Sequence, residues 1–183
     1  MRRSAALFCA IAIVAALGGC KQQSSQWDQG SGQSTPVVAP PSNVKSPEEV
    51  RQLENLARQN PGNVNAWIAL GNAQMDAQRF ADAIIAYQRA LELDSKNIDV
   101  RVDMGTCYRG VGQPEKALEE YRRALKLNPK HPNANRNSGV VLAYDLNRRA
   151  EGIKAFERYL EIMPGSPYAA EVRRTIEELK AMK

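Results

Sequence analysis

The side chains that can do chemistry in this chain are few and far apart. The sequence has three cysteines, Cys9, Cys20 and Cys107, and one histidine, His131. A metal centre or a nucleophilic site needs several such groups together, and no second imidazole or thiol lies near His131 in the sequence. We therefore expect His131 to be a solvated turn residue, and we do not expect an enzyme.

No sequence motif indicates a cofactor or nucleic acid. A glycine-rich phosphate loop and a nucleophile elbow are both missing from the sequence. The acidic pairs Glu119–Glu120 and Glu177–Glu178 are most simply solvated helix faces. The net charge of +5 is too small and too dispersed for a nucleic-acid surface. Cys107 is expected to be a small buried hydrophobic residue, with a redox role as the alternative.

Cys20 stands at the exit of an apolar segment. Two arginines open the chain, residues 5–17 are apolar without interruption, and two glycines precede Cys20. The run is shorter than the roughly 20 residues that a membrane-spanning helix needs, and it fits the core of a signal peptide. A short uncleaved anchor or a buried helix is the alternative.

The stretch "LGGC", residues 17–20, resembles the lipobox of bacterial lipoproteins. That resemblance implies cleavage of the signal peptide 1–19 and acylation of Cys20, which would carry palmitate-type chains and anchor the protein to a membrane. Lys21 stands where an aspartate would favour retention in the inner membrane. The expected location is therefore the bacterial cell envelope, on the periplasmic face of the outer membrane.

Residues 20–45 are expected to form the lipidated cysteine and a disordered tether. The segment is rich in Gln, Ser and Pro and has little apolar periodicity. Such a composition buries too little apolar surface to offset the entropy lost on ordering. Trp27 is either a residue of the bilayer interface or an incidental linker residue.

From residue 46 the chain changes character. Ser46, Pro47 and Glu49 form the pattern of a capping box with proline at the first helical position, which predicts a helix over 46–61. Further along, a period of 34 residues dominates. It relates Gly71 to Gly105 and Gly139, Ala83 to Ala117, Tyr87 to Tyr121, and Ala90 to Ala124.

A 34-residue period made of two helix-length halves resembles the tetratricopeptide repeat. The expected fold is all-α: a TPR α-solenoid of three helix-turn-helix repeats with a flanking helix at each end, within a domain spanning 46–183. The repeats are 64–97, 98–131 and 132–165, and 166–183 is a capping helix with a polar outer face.

Glycines in the first helix of each repeat are expected to let the second helix approach closely. The rings of Tyr87, Tyr121 and Phe156 should then fill the space between successive helix pairs. The third repeat departs from the pattern. Asn135 replaces an aromatic residue, Ser138 a leucine and Tyr159 an alanine, and an extra residue near Asn147 should lengthen the turn between its helices.

The resemblance implies a concave groove lined by positions two, five, nine and twelve of each first helix. In this sequence those positions are Asn65, Ile68, Asn72, Met75, Asp99, Val102, Thr106, Arg109, Asn133, Arg136, Val140 and Ala143. Some TPR proteins hold a C-terminal carboxylate in a clamp of lysine, asparagine and arginine. Asn72 matches that clamp, but Ile68 and Asp103 do not, so recognition of chaperone tails is not expected.

The function implied is that of a membrane-anchored TPR adapter. It would bind protein or peptide segments of envelope proteins in its groove and assist the assembly of envelope complexes. The alternative is a structural subunit of an envelope complex, such as a pilus-assembly or cytochrome c biogenesis apparatus. The sequence leaves the oligomeric state open.

Overall fold

The computed structural model describes residues 46–182, and over this range the chain is all-α, with no strand. The prediction of the fold class is confirmed. The helices are α1 (Pro47–Gln59), α2 (Val64–Asp76), α3 (Phe80–Leu93), α4 (Ile98–Gly110), α5 (Pro114–Leu127), α6 (Pro132–Val140), which continues as a π-helical segment (Val141–Asp145), α7 (Arg149–Ile162) and α8 (Ala169–Ala181).

Side-chain caps begin the first helix of each pair at 34-residue intervals. The capping residues are Asn63 for α2, Asn97 for α4 and His131 for α6. Each side chain accepts a hydrogen bond from a backbone N–H of the first turn, which no helical carbonyl can reach. Helix α1 begins with the predicted capping box, in which Ser46 and Glu49 bond each other's backbone N–H.

Three helix pairs follow one another, α2 with α3, α4 with α5, and α6 with α7. A connection of three residues joins the helices of each pair and folds the second helix back on the first. One residue in each connection has a left-handed backbone: Gln78 (φ 58°), Gly112 (φ 74°) and Asn147 (φ 52°). The first helices also contact one another along the stack, α2 with α4 and α4 with α6.

An aromatic ring of each second helix lies directly on a glycine of its first helix. A Cβ atom added to Gly71 would lie 2.5 Å from Cε1 of Tyr87, and the same relation holds for Gly105 with Tyr121 and for Gly139 with Phe156. Tyr87 also packs in one apolar cluster with Met104 and Cys107 of the next pair. The glycines therefore admit the rings, and at Tyr87 the ring bridges successive pairs as expected.

The same hydrogen bond links the first helix of each pair to the turn before it. A side chain at the same repeat position donates to the carbonyl oxygen six residues earlier in every pair: Trp67 Nε1 to Pro61 (2.9 Å), Arg101 Nη2 to Ser95 (2.8 Å) and Asn135 Nδ2 to Pro129 (3.1 Å). Asn135 thus departs from the aromatic pattern but keeps the hydrogen bond. This explains why a buried amide is tolerated there.

The extra residue of the third repeat lies in the helix, not in the turn, so that prediction was wrong. Residues 146–148 form a connection as short as those of the other pairs, and the insertion is absorbed by the π-helical segment Val141–Asp145. The wider turn brings Ala143 towards α7, where a Cβ on Gly152 would lie 2.7 Å from that of Ala143. The other two repeats have alanine at the position of Gly152, because their first helices remain α-helical there.

The ends of the stack differ in character. Helix α8 buries its predicted apolar face and exposes charged residues on the other side, as a cap should; the buried residues are Ala169, Val172, Ile176 and Leu179. Helix α1 buries Val50 and Ala57 against α2, whereas Leu56 is 46% exposed.

One predicted solvated carboxylate is instead buried. Glu120 is 5% exposed and pairs with Arg101 of α4 at 2.8 Å and with Arg123 at 2.9 Å. The guanidinium of Arg101 thus lies between α4 and α5, which gives the carboxylate the charged partner that its burial requires. Glu119, Glu177 and Glu178 lie on exposed helix surface, as expected.

Candidate functional site

The twelve predicted groove positions lie on the first helices α2, α4 and α6 and on the π-helical continuation of α6, and neighbouring first helices are in contact. We call the surface that they form the groove face. Its exposed members are Asn65, Asn72, Asp99, Arg109 and Asn133, and its partly buried members are Ile68, Met75, Thr106, Arg136 and Val140. Hydrogen bonds join neighbouring helices across this face, from Asn137 Nδ2 to Thr106 Oγ1 (3.3 Å) and between His131 and Asp99 (2.9 Å).

Two predicted groove residues are not on the surface. Val102 is 3% exposed and packs in the cluster around Tyr121, and Ala143 is 5% exposed and packs with Phe156. For Ala143 the cause is the π-helical segment, which changes the direction of side chains relative to an uninterrupted α-helix. Neither residue offers a surface for a ligand.

Polar side chains of the groove face form hydrogen bonds with buried tyrosine hydroxyls beneath it. The hydroxyl of Tyr87 donates to Asn72 Oδ1 at 2.8 Å, and Thr106 Oγ1 lies 3.2 Å from the hydroxyl of Tyr121. The buried phenols thereby obtain partners, and the amide of Asn72 is held in one orientation. Burial, and then the charge of Asp103, raises the pKa of Tyr87, so its hydroxyl remains a donor.

Both arginines of the groove face are engaged within the protein. Arg109 forms a two-pronged pair with Asp145, at 2.5 Å from Nε and 3.2 Å from Nη2, and this hydrogen bonding raises its pKa. Arg136 places its guanidinium carbon 4.4 Å from the ring centroid of Tyr168. A ligand carboxylate would therefore have to compete with Asp145 for Arg109.

Three carboxyl groups, those of Asp76, Asp99 and Asp103, lie close together where the first two repeats meet. Burial, then the charge of Asp99, raises the pKa of Asp103 to about 6; His131 opposes this rise and Asp76 adds to it. Asp99 itself is 85% exposed at its side chain. This part of the groove face consequently presents carboxylates where the carboxylate clamp would need neutral or positive groups.

His131 is a structural cap and not a solvated residue. Its Nδ1 accepts from the backbone N–H of Ala134 at 3.2 Å, so the neutral ring carries its proton on Nε2 and donates to Asp99 Oδ1 at 2.9 Å. The side chain is only 12% exposed. The missed signal was the 34-residue spacing, since His131 occupies the capping position held by Asn63 and Asn97 in the earlier repeats.

Cys107 is buried, as predicted. Its side chain is fully enclosed, and burial, reinforced by the charge of Asp103, raises the pKa of the thiol to about 12. A protonated and inaccessible thiol is a poor nucleophile and a poor metal ligand. Within residues 46–182 no cluster of histidine, cysteine and carboxylate side chains is suited to hold a metal ion.

The predictions for the N-terminal part lie outside the described residues. They concern the signal peptide 1–19, Cys20, Trp27 and the tether up to residue 45. Among the helices between residues 46 and 182, none has the length and hydropathy to cross a membrane.

Comparison with known families agrees with the repeated helix pairs. Two models described as tetratricopeptide repeat match, one over residues 50–98 and the other over residues 75–136. Residues 50–136 are recognised as tetratricopeptide repeats. These TPR matches include α1, which precedes the first complete helix pair.

Solved structures show the same TPR fold. A crystal structure of MamA superposes with a TM-score of 0.66 at 23% identity, covering 73% of this chain and 78% of MamA. YrrB, titled a TPR protein with an unusual peptide-binding site, gives 0.63 at 24% identity over 69% of this chain and 65% of its own. The first TPR of Spaghetti (RPAP3), bound to an HSP90 peptide, gives 0.60 at 22% identity over 64% and 93%.

The matches to curated relatives cover only a small part of those proteins. Human protein O-mannosyl-transferase TMTC3 is 32% identical over 64% of this chain, and a probable N-acetylglucosaminyltransferase, SPINDLY, of Solanum lycopersicum is 30% identical over 57%. The matched regions span 13% and 11% of those two proteins. These similarities therefore assign no activity to this chain.

Proposed function

We propose that this protein is a membrane-anchored TPR adapter that binds extended segments of other envelope proteins on its groove face. The observation that carries the proposal is a row of exposed amides on the groove face, with Asn65 and Asn72 on α2 and Asn133 on α6, on either side of α4. Amide side chains donate to and accept from a peptide backbone, so such a row suits a ligand without regular structure of its own.

The comparisons support peptide binding as the general role. YrrB is described as having a peptide-binding site, and the Spaghetti TPR was solved with a bound peptide. The present chain has the same fold and an accessible surface on its first helices. Permanent burial of the repeats in a larger complex is the alternative that the experiment below distinguishes.

The charge of the groove face favours neutral or basic segments over acidic tails. Asp99 and Asp103 lie on α4 beside Asp76 of α2, and the two arginines already have partners in Asp145 and Tyr168. A segment with lysine or arginine would meet Asp99, which accepts from His131 but is 85% exposed at its side chain, and Asp103 on the same helix. On a peptide array, we expect the protein to bind lysine-containing peptides and to lose this binding when the lysine is replaced by glutamate.

The anchoring part of the proposal rests on the sequence of residues 1–21. Cys20 would carry the lipid, residues 20–45 would act as the tether, and the repeats would work near the periplasmic face of the outer membrane. Replacing Cys20 by Ser should move the protein from the membrane fraction to the soluble fraction. Retention in the membrane after this change would contradict lipid anchoring through Cys20.

The groove is tested by affinity capture from membranes solubilised in mild detergent. We compare the wild type with a chain carrying Asn65→Ala, Asn72→Ala and Asn133→Ala, and with a control that loses three exposed amides elsewhere: Gln52→Ala, Gln59→Ala and Gln113→Ala. Partners lost only from the groove variant, at unchanged helicity, support the adapter. Partners retained by all three chains contradict it, and a chain that is unstable without them favours the structural subunit.

A further inference from the structure

Helix α8 lies in the register of a fourth first helix. The backbone N–H of Ser166 donates to the carbonyl oxygen of Met163 at 3.2 Å. The residues that cap the three first helices, Asn63, Asn97 and His131, donate to the carbonyl three residues back in the same way. The step from His131 to Ser166 is 35 residues rather than 34, because the π-helical segment of the third repeat holds the extra residue. A turn of the same form therefore precedes α8.

The buried positions of α8 agree with this register. Ala169 and Ile176, three and ten residues after Ser166, are 3% and 4% exposed. The same two positions are buried in each repeat, by Ala66 and Ala73, by Val100 and Cys107, and by Ala134 and Val141. One side of α8 therefore packs on the stack as a first helix does.

The register places four residues of α8 beside the twelve predicted groove positions. Two, five, nine and twelve residues after Ser166 the chain has Tyr168, Glu171, Thr175 and Glu178. Thr175 is partly buried, like Thr106 at the same position of α4, and the other three are exposed. We call these four residues the α8 set.

A stacking contact joins the α8 set to the groove face. The guanidinium carbon of Arg136, a groove residue of α6, lies 4.4 Å from the ring centroid of Tyr168, which is 50% exposed. The hydrogen bond between His131 and Asp99 joins α6 to α4 in a comparable way. The groove face is therefore continuous from α4 across α6 to α8.

The sign of the charge alternates along these three helices. Asp99 on α4 is 85% exposed at its side chain, Arg136 lies on α6, and Glu171 is exposed on α8. Within residues 46–182 Glu171 makes no ion pair, whereas Glu178 pairs with Arg174 at 3.7 Å. Exposed carboxylates favour a basic side chain of a ligand, and an arginine between them disfavours one.

The distance between the helices converts this alternation into a preference for sequence. Packed helices lie about 8–10 Å apart, and an extended chain advances about 3.3 Å per residue. A segment that crosses the groove face therefore reaches a new helix about every three residues. Its residues opposite α4 and α8 are about six residues apart, and the residue opposite α6 lies midway between them.

We propose that the groove face extends onto α8 and selects extended segments of partner proteins in which two basic residues are about six residues apart. Asp99 and Glu171 would each bind one basic side chain, and Arg136 would disfavour a further basic residue midway. This inference rests on the proposed function of the groove face and adds α8 to its binding site. The carboxylates of α4 alone would favour any basic segment, whatever the spacing of its charges.

Two short synthetic peptides test the spacing on the full-length chain in mild detergent. Both consist of serine, asparagine and threonine with two lysines and an uncharged fluorophore, and the lysines are six residues apart in one and three in the other. The shorter spacing places one lysine opposite Arg136 whenever the other lies opposite Asp99 or Glu171. At low ionic strength we expect fluorescence anisotropy to give an affinity about threefold higher for the six-residue spacing, the ratio that one exposed ion pair provides.

Two matched variants assign the preference to α8. Glu171→Gln removes the carboxylate on the groove side, so the two peptides should bind equally well. Glu177→Gln removes the same charge from the same helix, at a side chain that is 75% exposed and points about 120° away around the helix. This control should keep the threefold preference, and circular dichroism checks that both variants are folded.

The outcomes separate this inference from the function on which it rests. Equal binding of both peptides to the wild type, or a preference that survives Glu171→Gln, overturns the role of α8 while peptide binding to the groove face stands. Loss of the preference in the Glu177→Gln control also overturns the assignment to Glu171. If neither peptide binds the wild type, both the inference and the proposed function are contradicted.

Discussion

Among the carboxyl groups of residues 46–182, Asp103 has the pKa that the fold shifts most. Its pKa is raised to about 6, so the folded chain holds this proton more tightly than the unfolded chain does. By linkage, the wild type loses stability as the pH rises from about 4 to about 6, and the cost is fully present above pH 6. Asp103→Asn should therefore stabilise the protein at pH 7.5 by roughly 1–2 kcal/mol, a value reduced for partial exposure.

Urea unfolding at two pH values measures this effect. The gain from Asp103→Asn should be much smaller near pH 4, where the aspartate is protonated in the folded chain and only about half ionised in the unfolded chain. The control is Glu177→Gln, because Glu177 is 75% exposed at its side chain and should contribute little at either pH. An Asp103→Asn gain of the same size at pH 4 and pH 7.5 would refute the electrostatic explanation.

His131 offers a second test at the residue scale. His131→Ala removes the cap of α6 and the bond to Asp99, and should cost about 1 kcal/mol in the free energy of unfolding. His131→Asn should cost less than half of this, because asparagine caps α2 and α4 at the equivalent positions. Equal losses for the two variants, measured by urea unfolding, would show that the cap is not the important contact.

Within the elements, the contact of ring and glycine should be the most sensitive to a small change. Alanine normally stabilises a helix relative to glycine by about 1 kcal/mol. At Gly71 the added methyl group would lie 2.5 Å from the Tyr87 ring, so Gly71→Ala should instead destabilise by about 2 kcal/mol or more. Gly62→Ala is the control, since nothing lies within 4 Å of its Cβ position. Similar thermal unfolding of both variants would contradict this packing.

The π-helical segment accounts for a glycine at position 152, and this dependence is measurable. Gly152→Ala should destabilise the chain because its methyl group would meet Ala143 at 2.7 Å. Deleting Tyr144 restores the 34-residue spacing, and the first helix can then remain α-helical. In that background Gly152→Ala should cost at least about 1 kcal/mol less in the free energy of unfolding. Unfolding curves of the wild type, the two single variants and the double variant measure this coupling. An unchanged cost would separate the glycine from the insertion.

Over the whole molecule, Cys107 reports the opening of the stack. The thiol is fully buried and its pKa is about 12, so alkylation requires unfolding of the surrounding helices. In native buffer we expect a maleimide to react with Cys107 at least about a hundredfold more slowly than with Ser95→Cys, an exposed control. Mass spectrometry of the individual peptides separates these sites from other cysteines. Equal rates would contradict a closed core at α4.

The sequence predicted the arrangement of the stack more completely than the state of its surface. The 34-residue spacing of Gly71, Gly105 and Gly139 predicts three helix pairs through its resemblance to the tetratricopeptide repeat, in which close packing needs a small residue at one place in each repeat. The spacing could not predict the ion pair between Arg109 and Asp145, because that contact depends on the π-helical segment that contains Asp145. Nor could it show that Val102 is enclosed, since a helix in a solenoid has neighbours on more than one side.

The donors at Trp67, Arg101 and Asn135 have a consequence for redesign of these repeats. The position requires an N–H that reaches back six residues, and an indole, a guanidinium and an amide all provide it. A consensus protein with tryptophan at all three sites would look more regular, yet it would leave Glu120 buried without Arg101. Phenylalanine would preserve the aromatic pattern but remove the donor to the three carbonyl groups, so the property that the three repeats share at this position is the N–H group and not the ring.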